Sequence, residues 1–89
     1  MKFKFDEIEH SNSLYEVQEE DVKDGVFVVP DDIEVIERSS CSDLENLKKV
    51  ILPKGLKKIS SYAFSNCVNL EEIEIPEGVS FIGPAAFAN

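Results

Sequence analysis

The chain has 89 residues, of which 18 are acidic and 9 basic, so its formal net charge is −9. This length allows one small domain, and 43% hydrophobic residues are enough for a modest core. The negative charge argues against binding to nucleic-acid phosphates or an anionic membrane surface. No apolar run approaches the length of a membrane-spanning helix.

Residues 1–23 predict a β-hairpin. Phe3 and Phe5 alternate with lysines, which is the period of a strand with one apolar face. A second apolar stretch follows at 14–17, across a polar turn predicted at 10–13. An Asp24-Gly25 turn then leads into the rest of the chain.

The remaining residues contain an internal repeat of 23 residues. Residues 24–46 are a degenerate copy, which keeps the apolar pattern as far as Ile36 and then has Cys41 where the next copy has Phe64. Residues 47–69 and 70–89 align without a gap, and Asn89 falls opposite Asn66. The aligned core positions pair Leu47 with Leu70, Val50 with Ile73, Leu52 with Ile75, Pro53 with Pro76, Gly55 with Gly78, Leu56 with Val79, Ile59 with Ile82, Ala63 with Ala86 and Phe64 with Phe87.

Each copy predicts the same short elements. Strands are expected at 50–52 and 73–75, where the following proline ends the ladder because it has no N–H to donate. After a glycine turn, a second extended piece is expected, and then a short helical turn at 61–64 and at 84–87. A fixed period of this length is typical of repeats that stack, because one copy cannot bury its own apolar face.

The pattern L-x-x-I-x-I-P-x-G-V-x-x-I-G-x-x-A-F-x-x-C resembles the BspA-like, Treponema-type leucine-rich repeat. Leu47 to Cys67 carries nearly all of it, with Ser60 where the last copy has Gly83. Period and resemblance together predict an α/β fold: a short leucine-rich-repeat solenoid of 23-residue coils, mostly short parallel strands with brief helical turns. We expect one structural domain, made of an N-terminal hairpin cap (1–23), a degenerate coil (24–46), a full coil (47–69) and an incomplete coil (70–89).

The net charge differs in sign between segments of the chain. Residues 1–23, 24–46 and 70–89 carry net charges of −4, −6 and −4, whereas residues 47–69 carry +5. The register is expected to place Lys49 on Glu72, Lys48 on Glu71, Lys57 beside Glu34, and Lys54 between Asp31 and Glu77. Pairing between coils is the interpretation we favour over an electrostatic docking surface, and it would also fix the stacking register.

The sequence offers little catalytic or metal-binding chemistry. His10 is the single histidine and lies in a predicted turn without an orienting partner. Cys41 and Cys67 are expected to be buried free thiols, although a disulfide is not excluded by their spacing. The acidic pair Asp31-Asp32 lacks the calcium-loop pattern. We therefore predict no enzymatic activity, no cofactor and no metal site.

The leading functional hypothesis is a module that binds a protein partner through the strand face. Apolar side chains flanked by charge are where repeat proteins bind other proteins, although scattered surface hydrophobics are an equal explanation. The candidate residues are Val28, Lys49, Ile51, Glu72, Glu74 and Phe81, and Phe81 is expected to lie beside Val35. The alternatives are an N-terminal structural capping domain of a longer repeat protein and a small acidic inhibitor, which the lysine-rich middle copy disfavours.

The C-terminal copy lacks a polar cap, which a repeat protein normally needs. Three explanations remain open: a fragment of a longer protein, a homodimer through this coil, or closure by residues 84–87. No signal peptide is evident, which predicts a cytoplasmic location, whereas the family resemblance implies a surface or secreted role.

Overall fold

A computed structural model describes residues 1–88, so Asn89 and its alignment with Asn66 lie outside the described residues. Strands β1 (Lys2–Asp6) and β2 (Ser11–Tyr15) form an antiparallel hairpin. The predicted turn at 10–13 is wrong, because the chain turns at 7–10. The Asp6 carboxylate accepts hydrogen bonds from the N–H groups of Ile8 and Glu9, at 2.9 and 3.1 Å, and so closes the turn earlier.

Short strands separated by turns make up the rest of the described chain. Its one assigned helix is a 3₁₀ turn at Glu19–Asp21. The strands predicted at 50–52 and 73–75 are observed at Lys49–Ile51 and Glu72–Ile73. Each begins one residue earlier than expected and ends before the residue that precedes the proline. The remaining strands are β3 (Val26–Val28), β4 (Val35–Ile36), β5 (Lys49–Ile51), β6 (Lys58–Ile59), β7 (Glu72–Ile73) and β8 (Phe81–Ile82).

The strands form two sheets, one with the order β3-β5-β7 and one with the order β1-β2-β4-β6-β8. Every pair except the hairpin is parallel. Between the repeats the paired residues stand 23 positions apart, as in Lys49 opposite Glu72 and Lys58 opposite Phe81. Strand β2 adds the hairpin to the larger sheet by pairing Leu14 with Ile36. Mostly short strands with little helix fit a repeat fold.

The third segment of each repeat corrects the expectation of a helical turn. Residues 61–66 and 84–87 are consecutive hydrogen-bonded turns rather than helix. Tyr62 and Ala85 have φ of 60° and 58°, in the left-handed region, which interrupts a right-handed helix. The backbone then bonds between neighbouring repeats, as in the Phe64 N–H that donates to the carbonyl of Ala86 at 2.7 Å. These turns are therefore a third set of links between repeats.

The core lies between the two sheets and the turns. Its aromatic members Phe27 and Phe64 are almost fully buried, and the ring of Phe64 stacks on Phe87 with centroids 5.5 Å apart. The aliphatic members come from both sheets, as Val50 and Ile59 do, and from the segments between the strands. The fully buried aliphatic residues include Leu14, Val29, Ile33, Ile36, Leu47, Leu56 and Ile59.

Both cysteines belong to this core as free thiols. The Cys67 Sγ donates a hydrogen bond to the carbonyl oxygen of Cys41 at 2.9 Å. Burial raises the pKa of both thiols, because the thiolate would lose its hydration. The two side chains are therefore held in the unreactive protonated form.

Gly83 explains one departure between the copies. A Cβ at this position would lie 2.5 Å from the backbone nitrogen of Ser61, so the backbones of the two repeats approach too closely for a side chain. Ser60 occupies the aligned position one repeat earlier, where a side chain is present and buried. Close backbone approach thus requires glycine at one copy of this position.

Candidate protein-binding surface

The outer face of the three-stranded sheet carries a row of apolar and charged side chains in register. Val28 stands opposite Ile51, and Lys49 stands between Val26 and Glu72. Val28 and Ile51 are 57% and 43% exposed, because alternate residues of these strands point away from the core. They form an apolar spot beside charged groups.

A groove lies at the β5–β7 end of this face. Its volume is about 420 Å³, and residues 49–52 and 72–74 line it. The Lys49 ammonium and the Glu72 carboxylate form an ion pair at 3.4 Å within it. Four of the six predicted residues line this groove, namely Lys49, Ile51, Glu72 and Glu74.

The two other predicted residues lie outside the groove. Val28 continues the apolar spot on β3, next to Ile51. Phe81 belongs to the five-stranded sheet, where it lines a smaller groove of about 230 Å³. The predicted position of Phe81 beside Val35 is wrong, because these residues stand two strands apart with Lys58 between them. The Lys58 ammonium instead lies 5.3 Å from the centroid of the Phe81 ring, a cation–π contact.

The hairpin contributes a surface that the sequence interpretation missed. Phe3 and Phe5 are each 54% exposed and line a groove of about 450 Å³ with Pro30 and Ile33 of the first repeat. The Phe3/Phe5 alternation is the sequence signal for this surface, but the predicted hairpin cap gives both rings only a covering role. Strand β1 is at the edge of its sheet and has a neighbouring strand on one side only. Its two phenylalanine rings therefore stay partly exposed.

The predicted coil-to-coil charge pairs are present in part. Lys49 pairs with Glu72, and Lys57 pairs with Glu34 at 3.5 Å. Lys48 and Lys54 form no ion pair within residues 1–88. Side-chain amides add links between repeats, such as the Asn66 Nδ2 that donates to the Asp43 carboxylate at 2.8 Å.

Two aspartates near the hairpin have perturbed ionisation. The backbone N–H groups of Glu9 and Ile8 lower the pKa of Asp6 by bonding to its ionised form. The Gln18 N–H and then the N-terminal ammonium lower the pKa of Asp21 in the same way. Both carboxylates serve to hold the chain locally and line none of the described grooves.

The other candidate groups stay apart. His10 is exposed in the hairpin turn, and its ring centroid lies 6.3 Å from that of Phe5. Among residues 1–88, no three acidic, histidine or cysteine side chains come together as a metal-binding group. In the same part of the chain, no helix is long and apolar enough to cross a membrane.

Parallel strands in 23-residue register, with no α-helix among residues 1–88, define a protein of short repeats. In a comparison with protein-family models, residues 20–89 match the BspA type leucine-rich repeat region (6 copies), so the chain belongs to this family. No curated protein and no solved structure matched the chain. The family indicates a protein-interaction repeat module, and its repeats are generally not enzymes.

Proposed function

We propose that the chain is a non-enzymatic module that binds a protein partner through the outer face of the β3-β5-β7 sheet. The observation that carries this proposal is the groove lined by Ile51 together with the ion-paired Lys49 and Glu72 and with Glu74. An exposed aliphatic side chain bordered by charges of both signs suits a partner with an apolar anchor and a polar rim. Val28 extends this surface, and Phe81 contributes on the neighbouring sheet.

The scaffold in this proposal is a short solenoid of 23-residue coils with the hairpin as its N-terminal cap. The constant 23-residue register in both sheets supports the coils. The pairing of Leu14 with Ile36, both fully buried, supports the cap. A rigid sheet presents its side chains with little loss of conformational entropy on binding, which favours affinity.

The test is a capture experiment with three immobilised proteins. The unmodified chain is compared with Ile51→Asp, and Ile8→Asp serves as the matched control because Ile8 is 90% exposed in the hairpin turn. We expect a specific prey to be held by the unmodified chain and by Ile8→Asp and lost with Ile51→Asp, while all three keep the same melting temperature. Equal capture by Ile51→Asp would rule out the strand face as the binding surface.

A second candidate function is a structural one, in which residues 1–89 begin a longer repeat array and cover its N-terminal end. The hairpin supports it, since β2 continues the larger sheet while β1 closes it with an antiparallel pair. The same capture experiment separates the two functions. The absence of any specific prey would favour the structural role.

A further inference from the structure

Strand β1 of the hairpin combines exposed aromatic rings with a free sheet edge. Phe3 stands opposite Leu14, whose side chain is fully buried, so Phe3 and Phe5 point to the core side of the sheet. Both rings are nevertheless 54% exposed. Among residues 1–88, β1 is the outermost strand of its sheet and pairs with β2 alone. An apolar face and unpaired backbone groups therefore lie side by side on this strand.

The position of β1 follows from the hairpin itself. The chain reverses at residues 7–10, so β1 lies beyond β2 as the one antiparallel strand of this sheet. Its first end is held by the bond from the Met1 nitrogen to the Asp21 carboxylate at 2.9 Å, in the segment that follows β2. Its last residue, Asp6, closes the turn. Strand β1 is thus a short edge with both ends fixed.

The sequence of β1, Lys-Phe-Lys-Phe-Asp, is complementary to itself when two copies run antiparallel. Pairing centred on Lys4 places Lys2 opposite the partner's Asp6. It also places Phe3 opposite the partner's Phe5, and two-fold symmetry repeats both pairs. Opposite charges and aromatic rings directly across an antiparallel pair stabilise it. The turn bonds of Asp6 use Oδ1 alone, and Oδ2 accepts no hydrogen bond within residues 1–88.

Lys4 is the one residue of β1 that opposes this pairing, because it would stand opposite its own copy. Lysines on an edge strand normally discourage contact with another edge. Here the Lys4 ammonium lies 4.0 Å from the carboxylate of Glu37, so each copy brings an acidic group to the place where the two lysines meet. Two lysines and two glutamates then lie near the symmetry axis, and their charges sum to zero.

We propose that the chain forms a symmetric dimer in which the β1 strands of two copies pair antiparallel, with Lys4 at the two-fold axis. The two five-stranded sheets become one continuous sheet, and the backbone groups of both free edges are hydrogen-bonded. On the core side, the groove that Phe3, Phe5, Pro30 and Ile33 line in each copy is extended by the rings of the other copy. This contact is separate from the β3-β5-β7 face of the proposed function.

The register is tested by cysteine substitution in the full chain, with mild oxidation by oxidised glutathione and non-reducing electrophoresis. In Lys4→Cys the two new thiols would stand opposite each other, and a Cα separation of about 4.5 to 5.5 Å suits a disulfide. Lys2→Cys is the matched control, because the two copies of this position would lie about 13 Å apart along the strands, too far to bridge. Cys41 and Cys67 are buried and do not interfere.

Sedimentation equilibrium at several concentrations measures the dimer of the unmodified chain. Phe5→Thr should weaken it about tenfold or more, because it removes both aromatic pairs. The controls Ile8→Thr, in the turn outside β1, and Ile51→Asp, on the strand face, should leave it unchanged. We expect Lys4→Cys to give a cross-linked dimer and Lys2→Cys to give none.

Three results would overturn the proposal. The first is a strict monomer at high concentration. The second is a Lys4→Cys variant that does not cross-link, or that cross-links no better than Lys2→Cys. The third is a dimer that Ile82→Lys dissociates and Phe5→Thr does not, which would place the contact at the last repeat.

Discussion

The middle and last repeats have nearly the same pattern of core residues and very different burial. Ile59 is fully buried, whereas the aligned Ile82 is about half exposed. The difference does not come from the residues themselves, since both are isoleucines on short parallel strands. It comes from the neighbours, because within residues 1–88 the middle repeat has a repeat on each side and the last repeat has one on a single side. Burial in this fold is therefore a property of stacking.

The largest expected effect tests this contrast directly. Ile59→Ala should lower the free energy of unfolding by about 2 to 5 kcal/mol, because it removes a fully buried side chain and leaves a cavity. Ile82→Ala, the same substitution one repeat later, should cost about 1 kcal/mol or less because much less apolar area is lost. Urea unfolding of the two variants measures both values. Equal losses would show that the Ile82 side chain is covered in solution.

The 23-residue period predicted which residues meet, and it did so in detail. The pairings of Lys49 with Glu72 and of Val28 with Ile51 follow from the offset alone. A period assigns residues to equivalent positions in successive repeats, so it determines neighbours across the sheet once the strands are parallel. Hence the groove residues Lys49, Ile51, Glu72 and Glu74 could be chosen from the sequence.

The period did not predict the backbone between the strands. The left-handed φ of Tyr62 and Ala85 turns the predicted helical corner into a chain of turns, and no residue type there signals it. The hairpin turn was misplaced because the Asp6 carboxylate bonds to two N–H groups, a local effect without a repeat behind it. The expected contact between Phe81 and Val35 fails because these residues are two repeats apart, and Lys58 of the repeat between them stands opposite both.

An intermediate effect concerns the charges between repeats. Lys49→Glu/Lys57→Glu should lower the melting temperature at low salt, because it replaces two ion pairs with like-charge contacts. Exposed pairs contribute about 0.2 to 1 kcal/mol each, so the loss should be small and should shrink as salt is added.

The matched control for this charge reversal is Lys48→Glu/Lys54→Glu. It changes the net charge equally and alters two lysines that form no ion pair in the described residues. A difference in melting temperature between the two double variants measures the contribution of the two ion pairs. A drop in melting temperature that both variants share measures general charge repulsion in an acidic protein. Identical melting temperatures for both double variants at low salt would show that register depends on the core alone.

The smallest expected effect tests whether the hairpin region is held by a hydrogen-bonded carboxylate, whereas the repeats are held by core packing. The Asp21 carboxylate accepts the Gln18 N–H at 2.8 Å and the N-terminal ammonium at 2.9 Å, so it ties the start of β1 to the 3₁₀ turn. Its pKa is lowered in the folded chain, chiefly by the Gln18 N–H. The folded state then binds fewer protons than the unfolded state in the acid range, and stability falls as the pH drops.

Asp21→Asn should therefore destabilise the chain at neutral pH. The difference from the unmodified chain should hold above the ordinary aspartate pKa of about 3.9 and disappear as the pH falls through the lowered folded value. Asp31→Asn is the control, since Asp31 is exposed and its carboxylate accepts no hydrogen bond among residues 1–88. Thermal unfolding from pH 7 to pH 2.5 gives both profiles. A difference that persists at the lowest pH would mean that Asp21 acts through packing, and the hairpin would then be held by the same force as the repeats.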